Sequence, residues 1–282
     1  MHPVILDLGP IKLHTYGLMI AIGFLAALYF IRQDARKRLQ VAPDTVNELG
    51  FWILISGILG TRLLHILLYP QDYSLTDPVG WVALWRGGLV FQGALPTALA
   101  YYYVAMRRRN LPFWAGLDVA IPYLPLAHAL GRVGCFMYGC CYGRPTDLPW
   151  GLCFPAGSPA WNDGLHALDA TCTFPLHPTQ LYSVAGLLVL SGLLLLLRRS
   201  WTRFDGVTVP AYLMLYGVFR FILEFFRGDN NPRHLGSLTL SDQQVIALLM
   251  AAVGIALFFV LWRYGKATAA VALDSGKGKK DR

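Results

Sequence analysis

The stretch QQVIALLMAAVGIALFFVLWRY, residues 243–264, decides the class of this protein. Between residues 245 and 262 it contains no charged side chain. An α-helix needs about 20 predominantly apolar residues to cross the hydrocarbon layer of a bilayer, and a run of this length is too long for an ordinary soluble helix. The stretch therefore predicts a transmembrane helix.

Six further apolar runs precede it, and together they predict an all-α integral membrane protein with a bundle of about seven transmembrane helices. Hydrophobic residues make up 55% of the chain and charged residues only 14%, which excludes an ordinary soluble domain. Residues 1–265 are predicted to form a single transmembrane domain, and residues 266–282 a basic, disordered cytoplasmic tail. The predicted spans are 16–31, 46–69, 89–106, 117–135, 179–197, 207–226 and 243–264.

Basic residues predict the orientation, because cytoplasmic loops retain Lys and Arg. They concentrate in alternate connections, as an odd number of spans requires, so the amino terminus is predicted outside and the carboxyl terminus inside. Most of the formal charge of +8 is then explained by basic residues that mark the cytoplasmic side. The clusters are short, scattered and without a nucleic-acid-binding motif, which argues against nucleic acid as a partner. The predicted cytoplasmic set is Arg32, Arg36, Lys37, Arg38, Arg107, Arg108, Arg109, Arg198, Arg199, Arg203, Arg263, Lys266, Lys277, Lys279, Lys280 and Arg282; the outer set holds Lys12, Arg86, Arg144 and Arg233.

Two segments interrupt the regular bundle. The longest loop, residues 141–178, is predicted outside between spans four and five, and loops this long are usually functional or disordered. We expect a head that acts as a lid or a substrate dock. Pro122 and Pro125 remove backbone donors inside span four and predict a kink or break just before Arg132. Broken helices at membrane depth usually line cavities.

Four arginines lie within or at the outer edges of the apolar runs: Arg62, Arg132, Arg220 and Arg227. A charge at the centre of a membrane helix costs about 2.5–3.5 kcal/mol on insertion scales, so such residues face a polar interior. The planar guanidinium fork matches phosphate oxygens. The pattern predicts an anion held within the membrane.

Span six carries Tyr216, Arg220, Glu224 and Arg227 at spacings of four, four and three, which places them on one face of a helix. Two cations and one anion leave a net positive stripe, which favours anion binding. The alternative is an Arg220–Glu224 ion pair that only offsets burial.

Span four carries His128 and Arg132 one helical turn apart. The glycine-rich tract that contains Arg132 lets the backbone approach a ligand closely. For His128, a hydrogen-bonded structural role and a role in the site both remain open.

The cysteines divide into two groups. Cys135, Cys140 and Cys141 cluster at the outer end of span four, and Cys153 and Cys172 lie in the long loop. An outer compartment permits disulfides, so we expect one or two bridges. The odd number leaves at least one thiol unpaired within the chain. The spacing fits no standard zinc pattern, and we predict no metal.

Five motifs occur in order along the chain: HTYGLM at 14–19, GGLVFQG at 87–93, GRVGCF at 131–136, HPTQLY at 177–182 and FRFILEFFRG at 219–228. Their order and their placement at helix ends resemble the phosphatidylglycerol–prolipoprotein diacylglyceryl transferases over nearly the whole chain. The resemblance implies an enzyme of the bacterial inner membrane, with residues 1–265 as its catalytic domain and no cofactor. Such enzymes move the diacylglyceryl group of phosphatidylglycerol to the lipobox cysteine of a prolipoprotein signal peptide and release glycerol 1-phosphate. Phosphatidylglycerol, prolipoprotein signal peptides with a lipobox and membrane lipids are the implied partners.

The resemblance also implies roles for individual residues. Arg132 occupies the position of the family's phosphatidylglycerol-binding arginine, and Arg220 that of its second essential arginine. Tyr16 and Tyr216 match family tyrosines that orient the lipid, and Glu224 positions Arg220. We therefore predict catalytic roles for Arg220, Glu224, Tyr16, His14 and His177, and substrate contacts from Arg132, Tyr216, Gln92, Gly143 and Arg227.

The chain departs from the family pattern at several positions. Gln92 stands where many members have a histidine proposed as the base, and Gln cannot take a proton. Proton loss from the thiol then relies on the cationic field or on His14 or His177, or the chain is a catalytically altered or silent lipid-binding paralogue. An anion transporter is the weaker alternative, since the halves show no repeat. The other departures are Cys135, Tyr138 and Cys140 in place of asparagines and a glutamate, and Ser183 in place of an acidic residue.

Overall fold

The computed structural model describes residues 4–7, 12–73, 77–82, 87–88, 90–167, 170–201, 203–229, 232–235 and 238–265. The described part is mostly helical, as predicted, with two short antiparallel hairpins, β1–β2 and β3–β4, that the sequence analysis did not predict. The predicted tail, 266–282, lies outside the described residues. The helices are α1 Thr15–Leu39, α2 Pro43–Leu68, α3 Pro78–Val82, α4 Ala94–Arg108, α5 Phe113–Ala120, α6 Leu124–Tyr138, α7 Pro159–Asn162, α8 Thr179–Ser200, α9 Thr208–Glu224 and α10 Asp242–Tyr264; the strands are β1 Val4–Asp7, β2 Lys12–His14, β3 Pro232–Leu235 and β4 Leu238–Ser241.

Five helical segments of the described residues are long and apolar enough to cross a membrane. They are α1, α2, the α5–α6 segment Phe113–Tyr138, α8 and α10. The chain is therefore a multi-pass, all-α membrane protein. Helices α4 and α9 contain 15 and 17 residues, which is shorter than the roughly 20 that a span usually needs.

The chain divides into two compact units. Residues 32–116 form one, here called the small unit; residues 1–31 and 117–282 form the other, the large unit. In the small unit α2 packs against α4 and the turn before it, where the backbones of Gly60 and Gly93 approach so closely that neither position has room for a Cβ atom. Such small-residue contacts are typical of membrane helices.

The large unit is built around α6, α8, α9 and α10, with α9 packed along α10 and α6 along α8. Gly217 on α9 lies against α10, since a Cβ there would be 2.6 Å from the carbonyl oxygen of Ala247. Ser241 begins α10 with a capping box, in which its side chain and that of Gln244 each bind the other's backbone N–H. These contacts fix the position of α9, which carries Arg220, along α10.

The proline break predicted in span four is confirmed. Helix α5 ends at Ala120, a 3₁₀ turn covers Ile121–Tyr123, and α6 begins at Leu124. The Ser191 hydroxyl of α8 donates to the carbonyl oxygen of Pro122 at 2.7 Å. The break leaves the Pro122 carbonyl oxygen without a hydrogen bond inside its own helix, and a side chain of the neighbouring helix α8 supplies one.

The described residues of the long loop, 141–167 and 170–178, are folded; this loop is hereafter called the head. A Cys153–Cys172 disulfide crosslinks the head, and Pro145 and Leu152 each form an antiparallel β-bridge with Leu176. A small apolar core stabilises it. The buried members of this core are Tyr142, Phe154, Ala160 and Leu176.

Asp118 ties α5 to the beginning of α9. Its Oδ1 accepts hydrogen bonds from the backbone nitrogen of Thr208 at 2.9 Å and from the Thr208 hydroxyl at 2.8 Å, while Oδ2 accepts one from the backbone nitrogen of Gly206. A carboxylate at the start of a helix satisfies N–H groups that have no partner within the helix. The contact sets where α9 enters the bundle.

We predict that Asp118→Asn destabilises the protein by about 1–3 kcal/mol, because the amide turns an NH₂ donor toward backbone N–H donors. The measurement is thermal unfolding of the purified protein in detergent. Asp147→Asn, at an exposed head position, is the matched control and should unfold like the wild type. Equal unfolding temperatures for the two variants would contradict the prediction.

Candidate functional site

The predicted stripes of spans four and six meet inside the large unit. On α6 the Nε of Arg132 donates to Nε2 of His128 at 3.1 Å. The His128 ring centre lies 5.9 Å from that of Tyr216 on α9. The charges of Arg132 and Arg220 both act on His128. His128 is therefore hydrogen-bonded to Arg132 and lies beside Tyr216, while a role in the site stays a prediction.

Arg220 and Glu224 form the ion pair that the sequence allowed. Arg220 Nη1 lies 2.9 Å from Glu224 Oε2, and the Ser241 hydroxyl donates to Glu224 Oε1 at 2.9 Å. Arg220 is 9% exposed and Glu224 1%. The pair does not neutralise the region, because Arg132 and Arg227 also act electrostatically on Arg220.

Arg227 is placed differently from the prediction. Helix α9 ends at Glu224, so Arg227 lies in the turn beyond it and not on the helical face. The helix ends there because the following backbone pairs with the head, in a bridge between Gly143 and Arg227. Asp229 binds the guanidinium group, with Nε–Oδ1 at 2.8 Å and Nη2–Oδ2 at 2.6 Å. Arg132, Arg220 and Arg227 outnumber Glu224 and Asp229, and Arg144 Nε donates to the Arg227 carbonyl oxygen at 3.1 Å, so these residues carry a net positive charge.

Gly143 lies where the head crosses the turn after α9. Its nitrogen donates to the carbonyl oxygen of His177 at 3.0 Å, and the neighbouring Arg144 nitrogen donates to that of Phe226 at 2.9 Å. A Cβ on Gly143 would lie 2.5 Å from the His177 carbonyl oxygen and 2.7 Å from that of Phe226. This geometry explains the glycine by packing; its predicted substrate contact stays a prediction.

His177 belongs to an aromatic cluster at the base of the head. Its Nδ1 lies 3.1 Å from the Tyr182 hydroxyl, which also accepts a hydrogen bond from Trp150 Nε1 at 2.8 Å. The ring of Phe226 packs edge-on at 5.3 Å between centres. Tyr182 and Trp150 were not among the predicted site residues, although Tyr182 closes the HPTQLY motif.

Tyr16 lies in the first turn of α1, beside the segment that carries Arg132. A Cβ on Gly134 would lie 3.1 Å from the Cα of Tyr16, so α1 and α6 touch two residues beyond Arg132. The Tyr16 side chain is 43% exposed. His14 lies in β2, opposite Val4 in the hairpin register, and its side chain lies outside the described residues.

Gln92 and Arg62 lie in the small unit. Gln92 is exposed in the 3₁₀ turn Phe91–Gly93, directly before α4. Arg62 was grouped with the anion-binding arginines, but its guanidinium group donates to four backbone carbonyls that follow it in the chain and precede Gln92: Gly87 at 2.6 Å, Gly88 at 3.0 Å, Trp81 at 3.2 Å and Gly80. Arg62 therefore organises the segment that leads into Gln92.

The cysteine pairing that the sequence left open is settled for the head. Cys153 binds Cys172, and Cys135, Cys140 and Cys141 are free thiols. The three free thiols lie next to the arginine region, since the charges of Arg132 and Arg227 act on Cys141.

A bundle of apolar helices that encloses guanidinium groups defines an integral membrane protein. A family model described as "Prolipoprotein diacylglyceryl transferase" matches residues 3–260. The chain belongs to this family, which confirms the resemblance drawn from the motifs and the predicted transferase class.

Curated relatives match along nearly their whole length. A phosphatidylglycerol–prolipoprotein diacylglyceryl transferase of Cupriavidus metallidurans is 35% identical over 96% of this chain and 96% of its own. The corresponding transferase of Geobacter sulfurreducens is 36% identical, over 88% of this chain and 94% of its own. That of Nitrosomonas europaea is 35% identical, over 99% and 97%.

Gly143→Ala should separate the head from the end of α9, because overpacking of a tight contact costs about 1–3 kcal/mol. We expect a lower unfolding temperature and faster proteolysis within the head. Gly192→Ala in α8 is the matched control, since a Cβ there meets nothing within 4 Å. Proteolysis of Gly143→Ala at the wild-type rate would refute the packing role.

Proposed function

We propose that the chain transfers the diacylglyceryl group of phosphatidylglycerol to the lipobox cysteine of prolipoproteins. The thiolate sulfur attacks the glycerol carbon that carries the phosphate ester. The carbon–sulfur bond forms as the carbon–oxygen bond breaks, and the electron pair leaves with the phosphate oxygen as glycerol 1-phosphate. Family membership across the chain supports the reaction. The observation that supports the site is that Arg132 donates to His128, whose ring centre lies 5.9 Å from that of Tyr216, one turn before Arg220 on α9.

Arg132 and Arg220 bind the lipid phosphate in this proposal. Negative charge grows on the phosphate oxygen as the ester bond breaks, and preorganised cations in a water-poor site stabilise it. His128 holds the Nε side of Arg132, which aims its terminal nitrogen atoms. Glu224, one turn later on α9, holds Arg220 in the same way.

Other residues complete the binding of the lipid and the peptide. Tyr216, packed against His128, orients the phosphate or glyceryl oxygens from α9, and Tyr16 does so from α1. Arg227 adds positive charge from the turn after α9, attenuated by Asp229. Gln92, which cannot act as a base, offers its amide to lipid or peptide.

Seven spans are part of the proposal, with α4 and α9 as the two short ones. Basic residues stand in the last turns of α1, α4, α8 and α10, which supports a cytoplasmic position for these ends and an outer position for the amino terminus and the head. The disulfide of the head fits an oxidising outer compartment. We place the protein in the bacterial inner membrane, with a cytoplasmic tail at 266–282.

The decisive experiment is complementation of a bacterium that can be depleted of its own transferase, followed by mass measurement of a reporter lipoprotein. The proposed reaction predicts growth and a reporter that is heavier by one diacylglyceryl group. A silent lipid-binding paralogue would retain phosphatidylglycerol on purification, but it would leave the reporter mass unchanged.

Replacing either phosphate-binding arginine by Lys should lower turnover by about 10²- to 10³-fold, because the compact ammonium loses the bidentate fork. The variants are Arg132→Lys and Arg220→Lys, assayed as purified proteins with a lipobox peptide. Arg199→Lys, exposed at the opposite end of α8, is the control and should keep wild-type turnover. Normal turnover in Arg132→Lys would rule out the phosphate clamp.

We predict that loss of the thiol proton depends on the cationic field, with His14 or His177 as the alternative base. The rate should then rise toward the thiol pKa, near 8.5 in an unperturbed cysteine, and the profile should survive in His14→Gln and His177→Gln. Gln92→His should change the rate little, whereas Gln92→Ala should weaken binding more than it slows the chemical step. An acidic limb near pH 6.5 that vanishes in one histidine variant would instead identify that residue as the base.

Head cysteines test the topology. After mild reduction of intact spheroplasts, a membrane-impermeant thiol reagent should label Cys153 and Cys172, because the proposal places the head outside. The double variant Cys153→Ser with Cys172→Ser gives the background from the other thiols. Labelling of these two positions only after the membrane is opened, in protein that labels normally when denatured, would reverse the orientation.

A further inference from the structure

Three thiols that the proposed reaction does not use converge at the end of α6. Cys135 lies in the last turn of this helix, and Cys140 and Cys141 follow directly after it. Their Sγ atoms all lie within 4.8 Å of one another. Cys135 is buried and the other two are half-buried.

The chain reversal after α6 brings these sulfur atoms together. Gly139 ends the helix in the left-handed region at φ 81°, and its nitrogen donates to the carbonyl oxygen of Cys135 at 2.9 Å. Cys141 also adopts a left-handed conformation, at φ 60°. This region costs a residue with a Cβ roughly 1–2 kcal/mol, so the surrounding contacts must hold it.

Helix α8 supplies those contacts. The Gln180 side chain donates from Nε2 to the carbonyl oxygen of Cys140 at 2.8 Å, and the Thr179 hydroxyl donates to that of Cys141 at 2.7 Å. Both polar side chains are almost fully buried, at 0% and 1% exposure. The cysteine turn is therefore held in one conformation before any ligand arrives.

The donor set matches a particular class of ligand. Thiolates prefer soft ions such as Cu⁺ and Zn²⁺. Metal–sulfur bonds of about 2.3 Å place three sulfur atoms roughly 4 Å apart around a trigonal ion, so the observed cluster needs only small side-chain rotations. The positive charges of Arg227 and Arg132, which act on Cys141, offset the negative charge that three thiolates bring.

We propose that Cys135, Cys140 and Cys141 bind one thiophilic metal ion of the Cu⁺ and Zn²⁺ class at the outer end of α6. The inference does not depend on the transferase proposal. The sequence spacing predicted no metal, because the site arises from a left-handed turn that no zinc motif contains.

The test uses the full-length protein in detergent, treated with a phosphine reductant and then freed of it without oxygen. Titration with Cd²⁺, a spectroscopic substitute for Zn²⁺, should give one ion per chain and an ultraviolet thiolate-to-metal absorption band. Competition with a chelator should give the Cu⁺ affinity. Each variant Cys135→Ser, Cys140→Ser and Cys141→Ser should weaken binding at least about tenfold, and Thr179→Val should do so by about ten- to a hundredfold through loss of the supporting hydrogen bond.

Two further measurements keep the test independent of folding defects. In the wild type, bound Cd²⁺ should slow alkylation of the three thiols, which needs no variant. The Cys153→Ser, Cys172→Ser double variant is the matched control and should keep the stoichiometry and the affinity. The proposal is overturned if the reduced wild type shows no absorption band, if binding survives removal of all three cysteines, or if two of them form a disulfide and the reduced protein binds no ion.

Discussion

The buried carboxylate of Glu224 is the contact on which the large unit depends. One oxygen pairs with Arg220 at 2.9 Å and the other accepts from Ser241, the residue that caps α10. An ionised group this deeply buried costs several kcal/mol unless it is paired and hydrogen-bonded. The Glu224 side chain therefore orients Arg220 and also binds the residue that begins α10. Helices α9 and α10 are thus joined at the position of the arginine.

The arginines of this chain differ in use because their acceptors differ. Arg62 faces backbone carbonyls and holds a segment in place, Arg220 is held by a carboxylate of its own helix, and Arg227 is held by a carboxylate two residues later. Arg132 is held by a neutral ring nitrogen of His128, which takes none of its charge. From the residue type alone one can predict that the membrane region contains a cation. The acceptor beside each guanidinium group determines whether its charge is already paired within the protein.

Features that depend on neighbouring residues could be predicted from sequence. The long apolar runs, the break at Pro122 and the shared face of Arg220 and Glu224 follow from hydropathy, backbone chemistry and helical spacing. Features that depend on distant partners could not. The end of α9 before Arg227 is set by pairing with Gly143, and the head has a core that no local pattern indicates. Family motifs supplied the candidate site residues, and within the large unit the structure brings the predicted stripes of α6 and α9 together.

The backbone crossing at Gly143 has a mechanical consequence. Gly143 donates to His177 within the head, and two hydrogen bonds join the head to the turn after α9: Arg144 N–H donates to Phe226, and Gly228 N–H donates to Tyr142. Each of these hydrogen bonds contributes about 0.5–1.5 kcal/mol. Moving the head together with the end of α9 therefore costs less free energy than separating the two. Any displacement of the head therefore also pulls on the chain two residues beyond Glu224, and so on the carboxylate that holds Arg220.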